Sequence, residues 1–185
     1  MSLTVYNDGD EPLSYEEALH TYLQVGDAEQ SQVCGLEGAD YLDTVLDGDP
    51  RCRQGDEPVT FQGMVDRIYY SADTLELRDP VLQRTIIVAK QGAAQTVVWN
   101  PGEQAGNAIG DLGDGEWRGF VCVEAVNNRD CAVVVPPHDS HTLQQTTVGK
   151  ALKVNRNCRF DEHQAWFPMS IEPAVYSSAI FPRLR

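Results

Sequence analysis

Short segments in which apolar and polar residues alternate run through most of this chain. They are rich in Val, Ile, Tyr and Thr, and clusters of Gly, Asp, Asn and Pro separate them. The pattern predicts strands at Leu3–Tyr6, Leu19–Val25, Gln32–Leu36, Val59–Gln62, Val65–Tyr70, Thr74–Arg78, Arg84–Ala89, Gln95–Trp99, Trp117–Ala125, Ala132–Val135 and His141–Val148. Many short strands with turn residues between them are typical of an all-β sandwich or barrel.

Two stretches depart from this pattern. Ser14 and Glu17 fit a capping box that would open a helix, although the β-branched and aromatic residues after them favour extended chain. From Gly149 to Arg185 the alternation fades, and basic and aromatic residues mix with three prolines. We predict one β domain over residues 1–148. Residues 149–185 would be an extension that packs on it, binds a partner or lacks fixed structure.

The chain is acidic, which makes some classes of binding partner unfavourable. Its 28 Asp and Glu residues against 14 Lys and Arg give a formal charge of −14 over 185 residues, so nucleic acid and anionic membrane surfaces are unfavourable partners. No apolar run approaches the roughly 20 residues of a membrane span, and the start lacks the basic and apolar regions of a signal peptide. The five widely spaced cysteines fit neither a disulfide framework nor a CxxC zinc site, which predicts reduced thiols in a cytoplasmic protein.

Strand alternation divides the residues around His20 between two faces. One face carries Ala18, His20, Tyr22 and Gln24, and the other, more apolar face carries Leu19, Thr21, Leu23 and Val25. We predict that the apolar face packs between sheets. A histidine beside a tyrosine and a glutamine is typical of a sugar-binding surface, where a ring stacks on the sugar and polar groups bind its hydroxyls. A structural histidine with satisfied hydrogen bonds fits the same pattern.

Two strands carry a carboxylate where none is expected. Glu124 follows the apolar run Phe120–Val123, and Asp66 lies within Val65–Tyr70, although strands disfavour Asp. Burying an ionised side chain is costly unless it is paired. Each carboxylate can be explained by an exposed strand end or edge. Both faces of the Glu124 strand are apolar up to that residue, however, which indicates a central strand.

Two loops resemble binding motifs without their defining residues. The glycine-rich loop Pro101–Glu116 lacks GxxxxGK[ST] and carries four carboxylates, so we interpret it as a structural turn rather than a phosphate loop. His138 and His141 lie in a turn after Pro137 with no further ligand nearby, which favours surface residues over a metal site. The serine and histidine residues lack the GxSxG elbow of a nucleophilic serine.

Six segments in a fixed order are more specific than any single feature. They read ALHTYL at 18–23, GLEG at 35–38, VDRIY at 65–69, TVVWNP at 96–101, DLG at 111–113 and VCVE at 121–124. This series resembles the glucose-6-phosphate 1-epimerase (hexose-6-phosphate mutarotase) family of the aldose-1-epimerase superfamily, over about Leu3–Val148. The resemblance implies a galactose-mutarotase-like β-sandwich.

The resemblance also implies roles for three residues. His20 matches the catalytic acid, Glu124 the catalytic base, and Asp66 a ligand of a sugar hydroxyl. Glu124 would take the proton of the anomeric hydroxyl while protonated His20 donates one to the ring oxygen, and the opened sugar would close on its other face with the roles reversed. Nearby carboxylates such as Asp66 would raise the pKa of His20. The reaction implies no metal and no organic cofactor.

The chain also departs from the family. Family members are considerably longer, and the part without a counterpart lies before Leu3; it holds the first strands and the arginine-containing phosphate site. The family's WNPW is Trp99–Gly102 here, and residues after Val148 have no match. Two functions stay open: an epimerase of a small-molecule hexose phosphate, or a carbohydrate-binding remnant without catalysis. A sandwich without its first strands exposes sheet edges, which predicts self-association.

Overall fold

Fifteen strands, one short helix and three single 3-10 turns make up residues 1–151, the part of the chain that the computed structural model describes. The strands are β1 (Ser2–Tyr6), β2 (Leu13–Tyr15), β3 (Glu17–Leu19), β4 (Tyr22–Gln24), β5 (Gln32–Cys34), β6 (Asp40–Asp43), β7 (Arg51–Arg53), β8 (Val59–Thr60), β9 (Val65–Tyr69), β10 (Leu75–Asp79), β11 (Arg84–Gln91), β12 (Gln95–Asn100), β13 (Phe120–Asn127), β14 (Val133–Val135) and β15 (Ser140–Ala151). The helix α1 is Gly102–Gly106, and the 3-10 turns are Ala28–Gln30, Glu116–Gly119 and Arg129–Cys131.

The strands form two antiparallel sheets and a small ribbon. The six-stranded sheet has the order β1-β15-β11-β10-β5-β8. The seven-stranded sheet has the order β3-β13-β12-β9-β6-β7, and β4 pairs with β13 on the same side as β3. The strands β2 and β14 make the ribbon. None of the helices in this part of the chain is long and apolar enough to cross a membrane.

Apolar side chains from both sheets fill the space between them. They include Val33, Leu75, Leu77 and Val88 from the six-stranded sheet, and Tyr69, Val98, Val121 and Val123 from the seven-stranded sheet. Along β10 every second residue is buried and those between are exposed, because side chains of a strand point alternately to its two faces. The predicted all-β sandwich is therefore confirmed, and Ser14–Leu19 forms strands rather than a helix.

The sequence pattern was wrong where strands are polar or a turn is apolar. It missed β6 and β7, in which Asp40 pairs with Arg51 and Arg53 at distances of 3.2 and 3.3 Å; these cross-strand ion pairs add to the apolar contacts of Tyr41 and Cys52 with the core. It extended β13 back to Trp117, which lies in a 3-10 turn with its side chain buried. The strand β15 continues past the predicted domain boundary to Ala151. The rest of the predicted extension lies outside the described residues.

The loop after β12 explains why a glycine follows the Trp99-Asn100-Pro101 segment. Gly102 has a φ of +66°, and a Cβ there would lie 2.6 Å from the Met64 nitrogen and 2.7 Å from the Gly63 carbonyl carbon. No side chain fits without moving that backbone. The buried Asn100 holds the loop: its amide donates to the carbonyl oxygens of Trp117 and Phe120, and its oxygen accepts from the Gly102 N–H.

The β1 edge of the six-stranded sheet is only partly covered in the described residues. The strand β1 covers β15 only over Ser140–Gln144, and residues 146–151 of β15 are exposed. Unpaired backbone groups at such an edge favour pairing with another chain. Self-association through exposed sheet edges stays a prediction.

Candidate active site

The face of the seven-stranded sheet that points away from the core forms a cleft of about 540 Å³. Its lining includes Ala18, His20, Tyr22, Asp66, Trp99 and Glu124. The opposite face of β3 and β4 is buried, with Leu19, Thr21, Leu23 and Val25 toward the core. The two faces of the segment around His20 therefore point to the cleft and to the core as predicted, although Gln24 does not line the cleft.

Strand register brings the three predicted site residues into this cleft. In β12, Val97 pairs with Glu124, and Trp99 pairs with Asp66 of β9 on its other side. The strands β3 and β4 pair with β13 in one continuous register, Leu19 with Ala125 and Tyr22 with Cys122. Continuing that register between them places His20 opposite Glu124. Because residues two apart on a strand share a face, all three side chains point the same way.

Glu124 lies in the middle of the sheet. The strand β13 has β12 on one side and β3 and β4 on the other, and every residue of it after Phe120 is buried. The Glu124 side chain is 6% exposed, and its Oε2 lies 3.0 Å from Nδ1 of His20. The alternative of an exposed strand end is wrong. A buried carboxylate requires a partner, and His20 supplies it.

His20 is half-exposed, and its ionisation depends on Glu124. The hydrogen bond to the Glu124 carboxylate raises the pKa of His20; partial burial opposes this, and the negative charge of Glu124 adds to it. The carboxylate that acts on His20 is therefore Glu124, not Asp66 as the sequence led us to expect. Because this pKa is raised in the folded state, protonated His20 stabilises the fold below the ordinary histidine pKa. That contribution is lost as pH rises through the folded-state value.

Asp66 lies deep in the cleft rather than at a sheet edge. Its strand β9 has β12 and β6 as neighbours. Burial raises the pKa of Asp66; the nearby Thr44 hydroxyl, which donates to the Asp66 backbone carbonyl oxygen at 3.0 Å, opposes this, and the charges of Asp43 and Asp49 add to it. A carboxylate with a raised pKa in a polar cleft is suited to binding hydroxyl groups.

An aromatic cluster lies beside the His20–Glu124 pair. The ring centroids of Tyr22 and Trp99 are 6.1 Å apart, and Phe120 packs against both at 5.3 and 5.8 Å. Tyr22 and Trp99 line the cleft. The sequence indicated a sugar-stacking role for Tyr22 alone, although alternation along β12 and β13 also puts Trp99 and Phe120 on the same faces as Val97 and Glu124.

The charged groups of the lining are mostly acidic. Besides Asp66 and Glu124 the lining contains Glu16 and Glu17, with Arg129 as a cationic neighbour. The Arg129 guanidinium lies 2.8 Å from Asp49, and its backbone N–H donates to the Glu16 carboxylate. Sequence analysis missed these residues because Glu16 and Glu17 lie in the capping-box segment and Arg129 lies in a turn after β13.

The two loops that resemble binding motifs, Pro101–Glu116 and the turn at His138–His141, lie outside the cleft lining. The loop Pro101–Glu116 forms α1 and turns. His138 is exposed and pairs with Asp10 at 3.3 Å. His141, predicted at the surface, is partly buried, and its Nε2 lies 3.0 Å from the buried Glu17. Among residues 1–151, no group of three or more His, Cys, Asp or Glu side chains is arranged to hold a metal ion.

Known proteins share this sequence pattern and this fold. A protein of Cenchrus ciliaris named as a candidate glucose-6-phosphate 1-epimerase is 37% identical over 119 residues, which are 64% of this chain and 36% of that protein. A protein of Escherichia coli K12 with the same name is 34% identical over 134 residues, 72% of this chain and 45% of that protein. A crystal structure of a candidate mutarotase from Salmonella typhimurium matches with a TM-score of 0.71 and 28% identity, over 81% of this chain and 50% of that one.

The chain spans about half the length, or less, of these relatives. A candidate aldose 1-epimerase structure from Escherichia coli K12, 15% identical with a TM-score of 0.62, supports the fold alone. The model of the aldose 1-epimerase family matches residues 1–147. This match covers most of the chain and the whole cleft, and it confirms the resemblance seen in the sequence. The chain belongs to the aldose 1-epimerase family.

Proposed function

We propose that this chain interconverts the α and β anomers of a hexose 6-phosphate, with Glu124 as general base and His20 as general acid. The observation that supports this most directly is the 3.0 Å contact between the two side chains on the wall of a sugar-sized cleft. The relatives named as candidate glucose-6-phosphate 1-epimerases support the substrate. The cysteines in the described residues are free thiols, which supports the reducing cytoplasm as the location.

The close contact between His20 and Glu124 suits the bond that must break, which joins C1 to the ring oxygen. The anomeric hydroxyl and the ring oxygen of a pyranose are both bonded to C1. The base must therefore reach one of these two neighbouring oxygen atoms and the acid must reach the other. Nδ1 of His20 faces Glu124, which leaves Nε2 for the ring oxygen. The second carboxylate oxygen of Glu124 accepts no hydrogen bond from the described residues and is available for the anomeric hydroxyl.

Proton transfer at these atoms opens and closes the ring. Ionised Glu124 takes the proton of the anomeric hydroxyl, and protonated His20 donates its proton to the ring oxygen as the C1–O bond breaks. The open-chain aldehyde turns about its C1–C2 bond. The reverse transfers, from Glu124 to the carbonyl oxygen and from the C5 hydroxyl to His20, then close the ring on the other face of C1. The raised pKa of His20 favours the protonated form that the acid role requires.

Other residues of the cleft would orient the sugar. Asp66, beside Thr44, is placed to bind hydroxyl groups, and the rings of Tyr22 and Trp99 offer apolar surface to the C–H groups of a pyranose. The phosphate has no comparable partner in the described cleft lining, because Arg129, the single Lys or Arg there, is already paired with Asp49. Specificity for the phosphate is therefore tested separately, by comparing glucose 6-phosphate with glucose.

The test is the conversion of α-glucose 6-phosphate to the β anomer, followed by polarimetry or with a β-specific dehydrogenase, against spontaneous mutarotation. We expect acceleration that is proportional to protein concentration, and a higher kcat/KM for glucose 6-phosphate than for glucose. No acceleration by folded protein would show that the chain is not an epimerase. Binding of glucose 6-phosphate without acceleration would then identify a carbohydrate-binding remnant. Equal rates on both sugars would contradict the phosphate part alone.

Replacing Asp66 tests sugar binding separately from proton transfer. We expect Asp66→Asn to raise KM about tenfold, equivalent to roughly 1.4 kcal/mol of binding, because an amide accepts hydroxyl protons less strongly than a carboxylate. We expect kcat to change much less, since Asp66 exchanges no proton with the substrate. Steady-state kinetics on both anomers measure this. Asp56→Asn, in an exposed loop, is the control, and a loss in kcat with unchanged KM would contradict the assignment.

A further inference from the structure

Gln145 is a buried polar residue that connects the two sheets behind Glu124. It lies on β15 of the six-stranded sheet and is 3% exposed. Its side-chain oxygen accepts a hydrogen bond from the Ala125 N–H at 2.8 Å, and its amide donates to the Val123 carbonyl oxygen at 2.9 Å. Both partners belong to β13, and they are the two neighbours of Glu124 in the chain.

These backbone groups lie where the strand opposite β13 is interrupted: Ala125 pairs with Leu19, the last residue of β3, and Val123 faces the break. On this side of β13 the ladder breaks between β3 and β4, at His20 and Thr21. The backbone bond that remains there, from the Val123 N–H to the Thr21 carbonyl oxygen, is 3.3 Å long. The Thr21 hydroxyl donates to the Leu19 carbonyl oxygen at 3.1 Å. Side chains therefore add hydrogen bonds at the break in strand pairing, where an unpaired buried polar group would be costly.

We infer that Gln145 is a positioning residue that fixes Glu124 opposite His20 by holding the peptide groups on both sides of Glu124. This rests on the proposed function, because the geometry it fixes is that of the acid/base pair. The carboxamide bonds the β13 backbone beside the break at His20 and Thr21, so it would set the spacing between β13 and the interrupted strand. A small misplacement of a catalytic group is sufficient to lower a rate about a hundredfold.

The test compares Gln145→Met with Gln144→Met in the full chain. Methionine keeps the length of the side chain and removes both hydrogen bonds. Gln144 is the preceding residue of the same strand, partly buried on the opposite face. In Gln145→Met we expect a kcat about ten- to a hundredfold lower with KM changed less than about twofold. We expect the pKa of His20, measured by NMR titration of its ring, to fall toward that of ordinary histidine. Gln144→Met should match the original chain in kcat and in the pKa of His20.

The titration of His20 needs no activity, so the inference and the proposed function can fail separately. An unchanged His20 pKa in folded Gln145→Met overturns the inference, even if the original chain is an active epimerase. A lowered pKa supports it even if no epimerase activity is found, in which case the proposed function alone fails. If Gln145→Met does not fold, NMR of the original chain decides. A slowly exchanging Ala125 amide with a single fixed Gln145 side-chain amide supports the inference, and a rapidly exchanging, rotating amide overturns it.

Discussion

Glu124→Gln is expected to abolish most of the acceleration of anomer interconversion while the fold is retained. The amide has the same shape as the carboxylate and still accepts a hydrogen bond from His20, but it cannot take the proton of the anomeric hydroxyl. Loss of a general base typically lowers the rate about 10²- to 10⁴-fold. The measurement is kcat for both directions, with circular dichroism and thermal unfolding to verify the fold.

The same variant reports on the electrostatics of the pair. The carboxylate of Glu124 raises the pKa of His20, so replacing it with a neutral amide should lower the pKa of His20 in an NMR titration. Glu76→Gln is the matched control, because Glu76 is an exposed strand carboxylate of the other sheet. A fully active, folded Glu124→Gln protein would refute the assignment of the base.

His20→Gln is expected to remove both activity and one limb of the pH profile. In the original chain the acid must be protonated, so kcat should fall as pH rises through the His20 pKa. Because that pKa is raised, the fall should occur at a higher pH than the ordinary histidine value of about 6.5. Without the imidazole we expect a rate about 10²- to 10⁴-fold lower and no titration of the residual rate in this range.

The measurement is kcat against pH for the original chain, His20→Gln and a control. His138→Gln serves as the control, because His138 is exposed and lies outside the cleft lining. If His20→Gln kept the decline at high pH, another group would be the acid. If the original chain lost activity toward low pH only, the acid role of His20 would be wrong and its pairing with Glu124 would be structural.

Local patterns predicted which side of a strand each residue faces. Alternation put Leu19 and Leu23 in the core and His20 and Tyr22 outside it, and this holds although the strand breaks between β3 and β4. It holds because the register with β13 continues across the break, so the two-residue period is not shifted. The apolar residues before Glu124 likewise indicated a central strand, because only a strand covered on both faces tolerates such a run.

Other elements could not be predicted, because they depend on contacts between distant segments. The strands β6 and β7 are too polar for their pattern to be recognised; cross-strand pairs such as Asp40 with Arg51 stabilise them. The glycine after Pro101 appeared as a departure from the family motif until the backbone of Gly63 and Met64 was found against it. Likewise Gln145 is an ordinary strand residue in the sequence, and its hydrogen bonds exist only between packed sheets.

The fold class and the faces of most strands follow from local sequence patterns. The candidate residues His20, Glu124 and Asp66 follow from family motifs rather than from physical chemistry. Tertiary structure alone decided that His20 and Glu124 touch, since strands far apart in the chain meet there in a particular register. It also decided that Glu124, and not Asp66, raises the pKa of His20. The reason is that local periodicity fixes the direction of a side chain, whereas its neighbours are set by which strands pair and how far they are shifted.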